Sequence, residues 1–183
     1  MMYGLPVSVT LSDTEYKIRS DFRDVLDIIE ILNDVNLSDQ EKGYLTLLYF
    51  YEDFEHIPNT CYQEAIKKCF WFINGGADKE EGKEKLQTLV DWEQDFPYIV
   101  APINKTLGTE IRSAPYLHWW TFLAAYMEIG DCLFSNIVSI REKKSRGKPL
   151  DKSEREWYEK NREIVDIKNR YSDLDNEFLS GWI

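Results

Sequence analysis

The sequence predicts an all-α protein of about six or seven helices carrying one small N-terminal β-hairpin. Three observations lead there. Apolar residues recur at helical spacing through most of the chain. Helix-start and helix-stop residues bracket many of those segments. Strict alternation of apolar and polar residues is confined to the beginning.

The elements follow in order. Val7-Ser8-Val9-Thr10-Leu11 alternates and is β-branched, Ser12-Asp13-Thr14 is turn chemistry, and Glu15-Tyr16-Lys17-Ile18 returns as a second strand. Two isolated strands are marginal in water, so this hairpin must pack on something. Ser20-Asp21 caps a first helix whose buried face is Phe22, Val25, Leu26, Ile29 and Leu32. Ser38-Asp39-Gln40-Glu41 is a capping box. The helix behind it, through Tyr44, Leu45, Leu47, Leu48, Tyr49, Phe50 and Tyr51, is apolar most of the way round and is therefore expected to be central. A third helix starts at Thr60, buries Ala65, Ile66, Cys69, Phe70, Phe72 and Ile73 with Trp71 beside them, and stops at Asn74-Gly75-Gly76. Residues 77–85 read as a charged, exposed loop. A fourth helix contains Leu89, Trp92, Phe96, Ile99, Val100 and Ile103. Pro97 suits a first turn, which puts a boundary near Asp95, and Gly108 ends the element.

Ser113-Ala114-Pro115 is expected to open a fifth helix, with Pro115 in its first turn, ending near Gly130. It carries Tyr116-Leu117-His118-Trp119-Trp120-Thr121-Phe122, five ring-bearing residues in seven positions. Leu133, Phe134, Ile137, Val138 and Ile140 suggest a shorter sixth helix. Residues 141–148 read as a basic, Gly-containing hinge, and 151–169 as a charged amphipathic helix with Leu150, Trp157, Ile164 and Tyr171 recurring every seven residues. The expected organisation is thus a helical domain with its hairpin over 1–140, followed by a hinge and C-terminal helix over 141–183. That helix either lies back on the body or pairs with another copy, and Trp182 faces the same choice.

Composition bounds the function. At 183 residues with 43% hydrophobic and 14% aromatic content, the chain supports one sizeable core. A net charge of −11 argues against a sequence-independent nucleic-acid binder, which needs a basic stripe, and against docking on anionic membrane. Neither nucleic acid nor membrane is expected as a partner. Cys61, Cys69 and Cys132 form an odd, sparse set, and no secretory pattern opens the chain, so a reducing cytoplasm is the expected compartment.

No arrangement of side chains assembles a reaction centre. Asp91 and Asp95 share a helical face, but two carboxylates are too few for a hard cation, and they read as helix-start acids that suit the macrodipole. His118 has no Ser or Cys partner at readable spacing, and His56 sits in a loop. Gly75-Gly76 lacks the Lys-Ser/Thr of a phosphate loop. No catalytic residue, cofactor site or metal site is expected, so the protein is expected not to be an enzyme. What remains is aromatic. Consecutive Trp119 and Trp120 diverge by about 100° on a helix, which points to one buried ring and one at the surface. Tyr116, His118, Trp119 and Trp120, with Trp157 from the tail, are the candidate partner-binding residues.

The order of these pieces resembles the bacteriophage gene-product-fifteen family of tailed phages and prophages of Gram-positive hosts. The resemblance runs over roughly residues 5–140. It is carried by Leu5-Pro6 before the hairpin, Ile18-Arg19-Ser20-Asp21-Phe22-Arg23, Leu37-Ser38-Asp39-Gln40-Glu41-Lys42, Phe70-Trp71-Phe72-Ile73-Asn74-Gly75-Gly76, Asp91-Trp92-Glu93-Gln94-Asp95 and Tyr116-Leu117-His118-Trp119-Trp120-Thr121-Phe122. Members of that family are encoded between the major tail protein and the tape-measure protein. The resemblance therefore implies a tail assembly chaperone that binds the hydrophobic tape-measure protein, keeps it soluble in the host cytoplasm while tail-tube protein polymerises around it, and is absent from the mature virion. A homo-oligomer is a further possible assembly. The competing expectations are a structural tail-completion component, present in purified particles, and an inhibitor of a host protein whose acidic surface mimics nucleic acid.

Overall fold

The structure, a computed structural model, describes residues 4–77 and 89–168. Among these, seven α-helices follow a two-stranded antiparallel hairpin. The chain groups into two compact units. Unit 1 holds 1–86 and 100–129; unit 2 holds 87–99 and 130–183.

In unit 1, β1 (Ser8–Leu11) pairs with β2 (Thr14–Lys17) in the register Val9 to Tyr16. The two-residue turn places Ser12 at φ 43° and Asp13 at φ 69°, the positive-φ pair that matches strand twist in a type I′ turn. Val9 and Leu11 face inward. The strand continues past β2 as Ile18 bridges to Tyr51, and Arg19 donates to the carbonyls of Leu48, Tyr49 and Tyr51. That guanidinium satisfies the carbonyl end of α2, where a cation is favoured.

Helix α1 (Phe22–Asn33) starts at Asp21, whose side chain accepts from the Arg23 N–H. Helix α2 (Asp39–Phe50) starts at Ser38 with the expected capping box: the Ser38 oxygen accepts from the Glu41 N–H and the Glu41 carboxylate accepts from the Ser38 N–H. The Ser38 hydroxyl also donates to the Glu41 carboxylate, and that bond, together with the one from the Ser38 N–H, holds the Glu41 carboxyl below the usual carboxylate range. Contrary to expectation, α2 is not central. It packs on α1 and α3 with Thr46, Leu47 and Phe50 inward and leaves Tyr44, Leu48 and Tyr49 exposed. The buried side of a helix needs only one apolar stripe; here the opposite side is apolar as well.

A 3₁₀ turn over Asn59–Cys61 precedes α3 (Tyr62–Ile73), so the helix proper begins two residues after Thr60. The core of unit 1 is aromatic. Phe22 stacks on Phe122 at 4.7 Å, Trp119 stacks on Phe122 at 5.5 Å, and Phe50 meets Phe72 at 5.4 Å. Burying each such ring contributes about 1.5–3 kcal/mol, and ring pairing adds about 0.5–1.5 kcal/mol. The hydroxyl of buried Tyr51 donates to the Ala65 carbonyl, and burial pushes the Tyr51 and Cys69 ionisations up.

Helix α4 (Trp92–Leu107) runs through both of its prolines rather than breaking at Pro97. Its start is fixed upstream: the Asp91 carboxylate accepts from the Gln94 N–H while Asp95 accepts from the Asp91 N–H. The helix therefore starts five residues before Pro97 and carries that proline in its interior, where the ring removes one internal hydrogen bond. The unit boundary falls within α4, between Ile99 and Val100.

Unit 2 contains α6 (Leu133–Ser145) and α7 (Lys152–Val165), which pack on one another. Its core is Ile137, Ile140, Tyr158 and Val165, flanked by Tyr98, Leu150, Trp157 and Ile164. The seven-residue stripe thus packs within its own unit as far as it is described; Tyr171 and Trp182 lie outside the described residues. Arg141, read as the first residue of a hinge, lies inside α6 and is buried. Its guanidinium pairs with Asp95 at 2.5 and 2.9 Å and donates to the carbonyls of Leu89, Ile164 and Val165. Asp95 is likewise more than a helix-start acid: it is fully buried as the other half of this ion pair.

Candidate functional site

Helix α5 (Trp119–Met127) begins at Trp119 with His118 as its N-cap, not at Pro115. Residues before it run as a single bridge beside the start of α1. The Phe22 N–H donates to the Leu117 carbonyl, the Trp119 N–H to the Ser20 carbonyl, and the Leu117 N–H to the Asp21 carboxylate. Arg23 holds the preceding loop by donating to the carbonyls of Ile111 and Ala114. These bonds keep 116–118 extended, which overrides the helix-start chemistry of Ser113-Ala114-Pro115.

His118 then has a specific structural task. Its Nδ1 accepts from the Trp120 N–H at 3.0 Å, so the ring proton sits on Nε2, which donates to the Pro6 carbonyl at 2.9 Å. Both nitrogens are committed and the ring is buried. This geometry caps a helix and ties the N-terminal segment down; it offers neither nitrogen to a substrate.

The two tryptophans reach the same target. Trp119 Nε1 donates to the Ile73 carbonyl at 2.9 Å, and Trp120 Nε1 donates to the Phe72 carbonyl at 2.8 Å. Those carbonyls belong to the last turn of α3, which lacks internal donors. A Schellman motif adds to them: the Gly76 N–H donates to Trp71 O, and the Gly75 N–H is a second donor to Phe72 O. Gly76 has φ 86°, and a Cβ there would lie 2.9 Å from the Trp120 ring. The Gly-Gly stop is thus also the floor on which Trp120 rests, with Trp71 edge-on at 5.4 Å.

Of the candidate partner-binding residues, Trp119 is 1% exposed and His118 is buried, so their rings lie in the core. Trp120 is half-buried. Tyr116 is exposed, its hydroxyl 2.8 Å from Ser20 Oγ. Trp157 is half-buried in unit 2 and lines a small cavity with Asn136, Ser139, Ile140, Ser153 and Glu154. Trp157 belongs to unit 2, and Tyr116, His118, Trp119 and Trp120 belong to unit 1.

An exposed apolar face lies elsewhere, on α2. Tyr44, Leu48 and Tyr49 are 53%, 38% and 43% exposed, and Leu37, Gln40, Glu41, Tyr44 and Leu45 line an open groove. Sequence reasoning missed this face. The signal was present: a helix apolar on both sides, yet opened by an acidic capping box and followed by Glu52, Asp53 and Glu55, is partly solvent-facing.

Unit 2 carries a polar cluster of its own. Tyr158 donates to Asp166 and accepts from Lys144, which also pairs with Asp166. Partial burial works against both charges. Even so, hydrogen bonds from Lys144, Tyr158 and Arg162 hold Asp166 below the usual carboxylate range, and those from Lys144 to Asp166 and Tyr158 hold Lys144 above the usual amine range.

The model of the family described as Bacteriophage Gp15 protein matches residues 1–167, and the chain belongs to that family. No curated protein and no solved structure matches it.

Proposed function

We propose that this phage protein is a non-enzymatic tail assembly chaperone. It binds the tape-measure protein in the host cytoplasm, holds it soluble while tail-tube protein assembles, and is not retained in the virion. The observation that supports this most directly is the exposed Tyr44, Leu48 and Tyr49 face on a chain of net charge −11. A solubilising binder needs apolar anchors on its surface to take up a partner's apolar segments, and like charge around them to keep the complex dispersed. Laying a helix of the partner against such a face is a common recognition mode.

Co-expression with the neighbouring tape-measure protein tests the reading. The tape-measure protein should move from pellet to supernatant and co-purify with this chain. Equal insolubility with and without it would sink the proposal. Finding this chain at stoichiometric levels in purified particles would instead favour a structural tail component.

A further inference from the structure

Leu37, Glu41, Tyr44, Leu45 and Leu48 follow one another at offsets of four, seven, eight and eleven, which is one side of a helix and its lead-in. That side lies opposite the buried Thr46, Leu47 and Phe50. Its surroundings are acidic. Asp39 and Glu41 sit in the first turn, and Glu52, Asp53 and Glu55 follow the last; all five are exposed. The Tyr44 ring meets Phe54 edge-on at 5.3 Å, which brings the 53–55 turn beside the apolar stripe. Of the basic groups close by, Lys42 is half-buried, Arg19 is engaged with the α2 carbonyls, and Lys17, whose carbonyl accepts from the Glu52 N–H, is exposed, one cation against five carboxylates.

We infer that this face of α2 seats an amphipathic partner helix whose apolar stripe is flanked by lysine or arginine. A second copy of this chain docked there would set one acidic rim against another, and like charges juxtaposed across an interface disfavour it. A basic-flanked helix gains from burial of Tyr44, Leu45 and Leu48 and from charge pairing at the rim. The inference rests on the chaperone reading for the role of that helix, but the surface and its charge preference are testable apart from it.

Full-length protein is titrated with two synthetic amphipathic peptides that share one leucine stripe, one flanked by lysines and the other by glutamates. The lysine peptide should bind, at least about tenfold more tightly than the glutamate peptide, and its affinity should fall as sodium chloride is raised. L48S/Y49S, which alters only exposed positions, should weaken that binding about tenfold or more. D53K/E55K, which leaves every buried side chain in place, should shift preference toward the glutamate peptide. Equal binding of both peptides, or unchanged binding by an L48S/Y49S protein with wild-type thermal melting, overturns the inference. So does sedimentation of the wild type as a dimer that L48S/Y49S converts to a monomer. In co-expression, a tape-measure protein kept soluble equally by wild type and L48S/Y49S refutes this surface and leaves the chaperone reading standing. Peptide binding at α2 with a tape-measure protein that stays insoluble does the reverse.

Discussion

Replacing Arg141 by methionine is the sharpest test of unit 2. Methionine keeps most of the aliphatic stem and removes the guanidinium. Asp95, fully buried, then keeps its bond from the Asp91 N–H but loses both bonds from Arg141. The carbonyls of Ile164 and Val165 in the last turn of α7, and of Leu89, lose a donor too. Removing one partner of a buried ion pair costs about 3–5 kcal/mol, because the other charge is stranded. At roughly 2–4 °C per kcal/mol for a chain of this size, Tm should fall by about 6–20 °C. R141M/D95L removes both charges and should recover the part of that loss due to the stranded carboxylate, but not the part due to the Leu89, Ile164 and Val165 carbonyls, which still lack their donor. Native-state hydrogen exchange should place the loss in α6 and α7, with α1 and α3 of unit 1 far less affected. If R141M melts within about 1 kcal/mol of wild type, near the upper end for surface pairs, the pair is not the buried anchor described above.

Three further outcomes follow from the same geometry. W119F leaves the part-buried Ile73 carbonyl without its indole donor and should destabilise by about 1–3 kcal/mol; W120F should cost less, about 0.5–1.5 kcal/mol, because Phe72 O retains the Gly75 N–H. Urea melts of the two variants measure the difference, and the reverse order would contradict the assignment. G76A meets both a positive φ and the Trp120 ring, so it should lose at least about 1–2 kcal/mol and alter tryptophan emission. The Lys144, Tyr158 and Asp166 cluster should make stability fall at both pH extremes. Asp166 is lowered in the fold, so its contribution is present above the ordinary carboxylate range and lost as pH drops below it. Lys144 is raised, so its contribution is present below the ordinary amine range and lost as pH climbs above it. D166N should flatten the acid limb of a Tm-versus-pH profile and K144M the alkaline limb.

What the sequence made legible was mostly local. The Ser38 capping box, the Asp21 cap, the Asn74-Gly75-Gly76 stop and the alternating hairpin are each decided within a few residues, and each appears where expected. The misplacements share a different cause. Pro115 lost the start of α5 because residues 20–22 claim 117–119 for a bridge from nearly a hundred positions away. Pro97 does not mark the start of α4 because Asp91 and Asp95 cap the helix together upstream of it. Arg141 looked like part of a solvated basic run because its carboxylate partner is far away in sequence and its other acceptors are backbone carbonyls, which sequence patterns do not display.

The aromatic segment shows why a family pattern and a working surface need not coincide. Three of the pieces that carried the resemblance meet in unit 1. Ser20 and Asp21 hold 116–119 extended, His118 then caps α5, and Trp119 and Trp120 close the carbonyl end of α3 above Gly75-Gly76. Each of these roles needs a particular side chain: an indole N–H on a carbonyl, a ring nitrogen on an amide, a glycine under a ring. Such roles give a sequence sharply recognisable features while using them up on the fold itself. The α2 face makes a weaker demand. Any apolar residues of suitable size at Tyr44, Leu45 and Leu48, within an acidic rim, would present similar chemistry to a partner helix. A surface of that kind leaves little mark in one sequence. It becomes visible once the fold decides which of two apolar sides of α2 is buried.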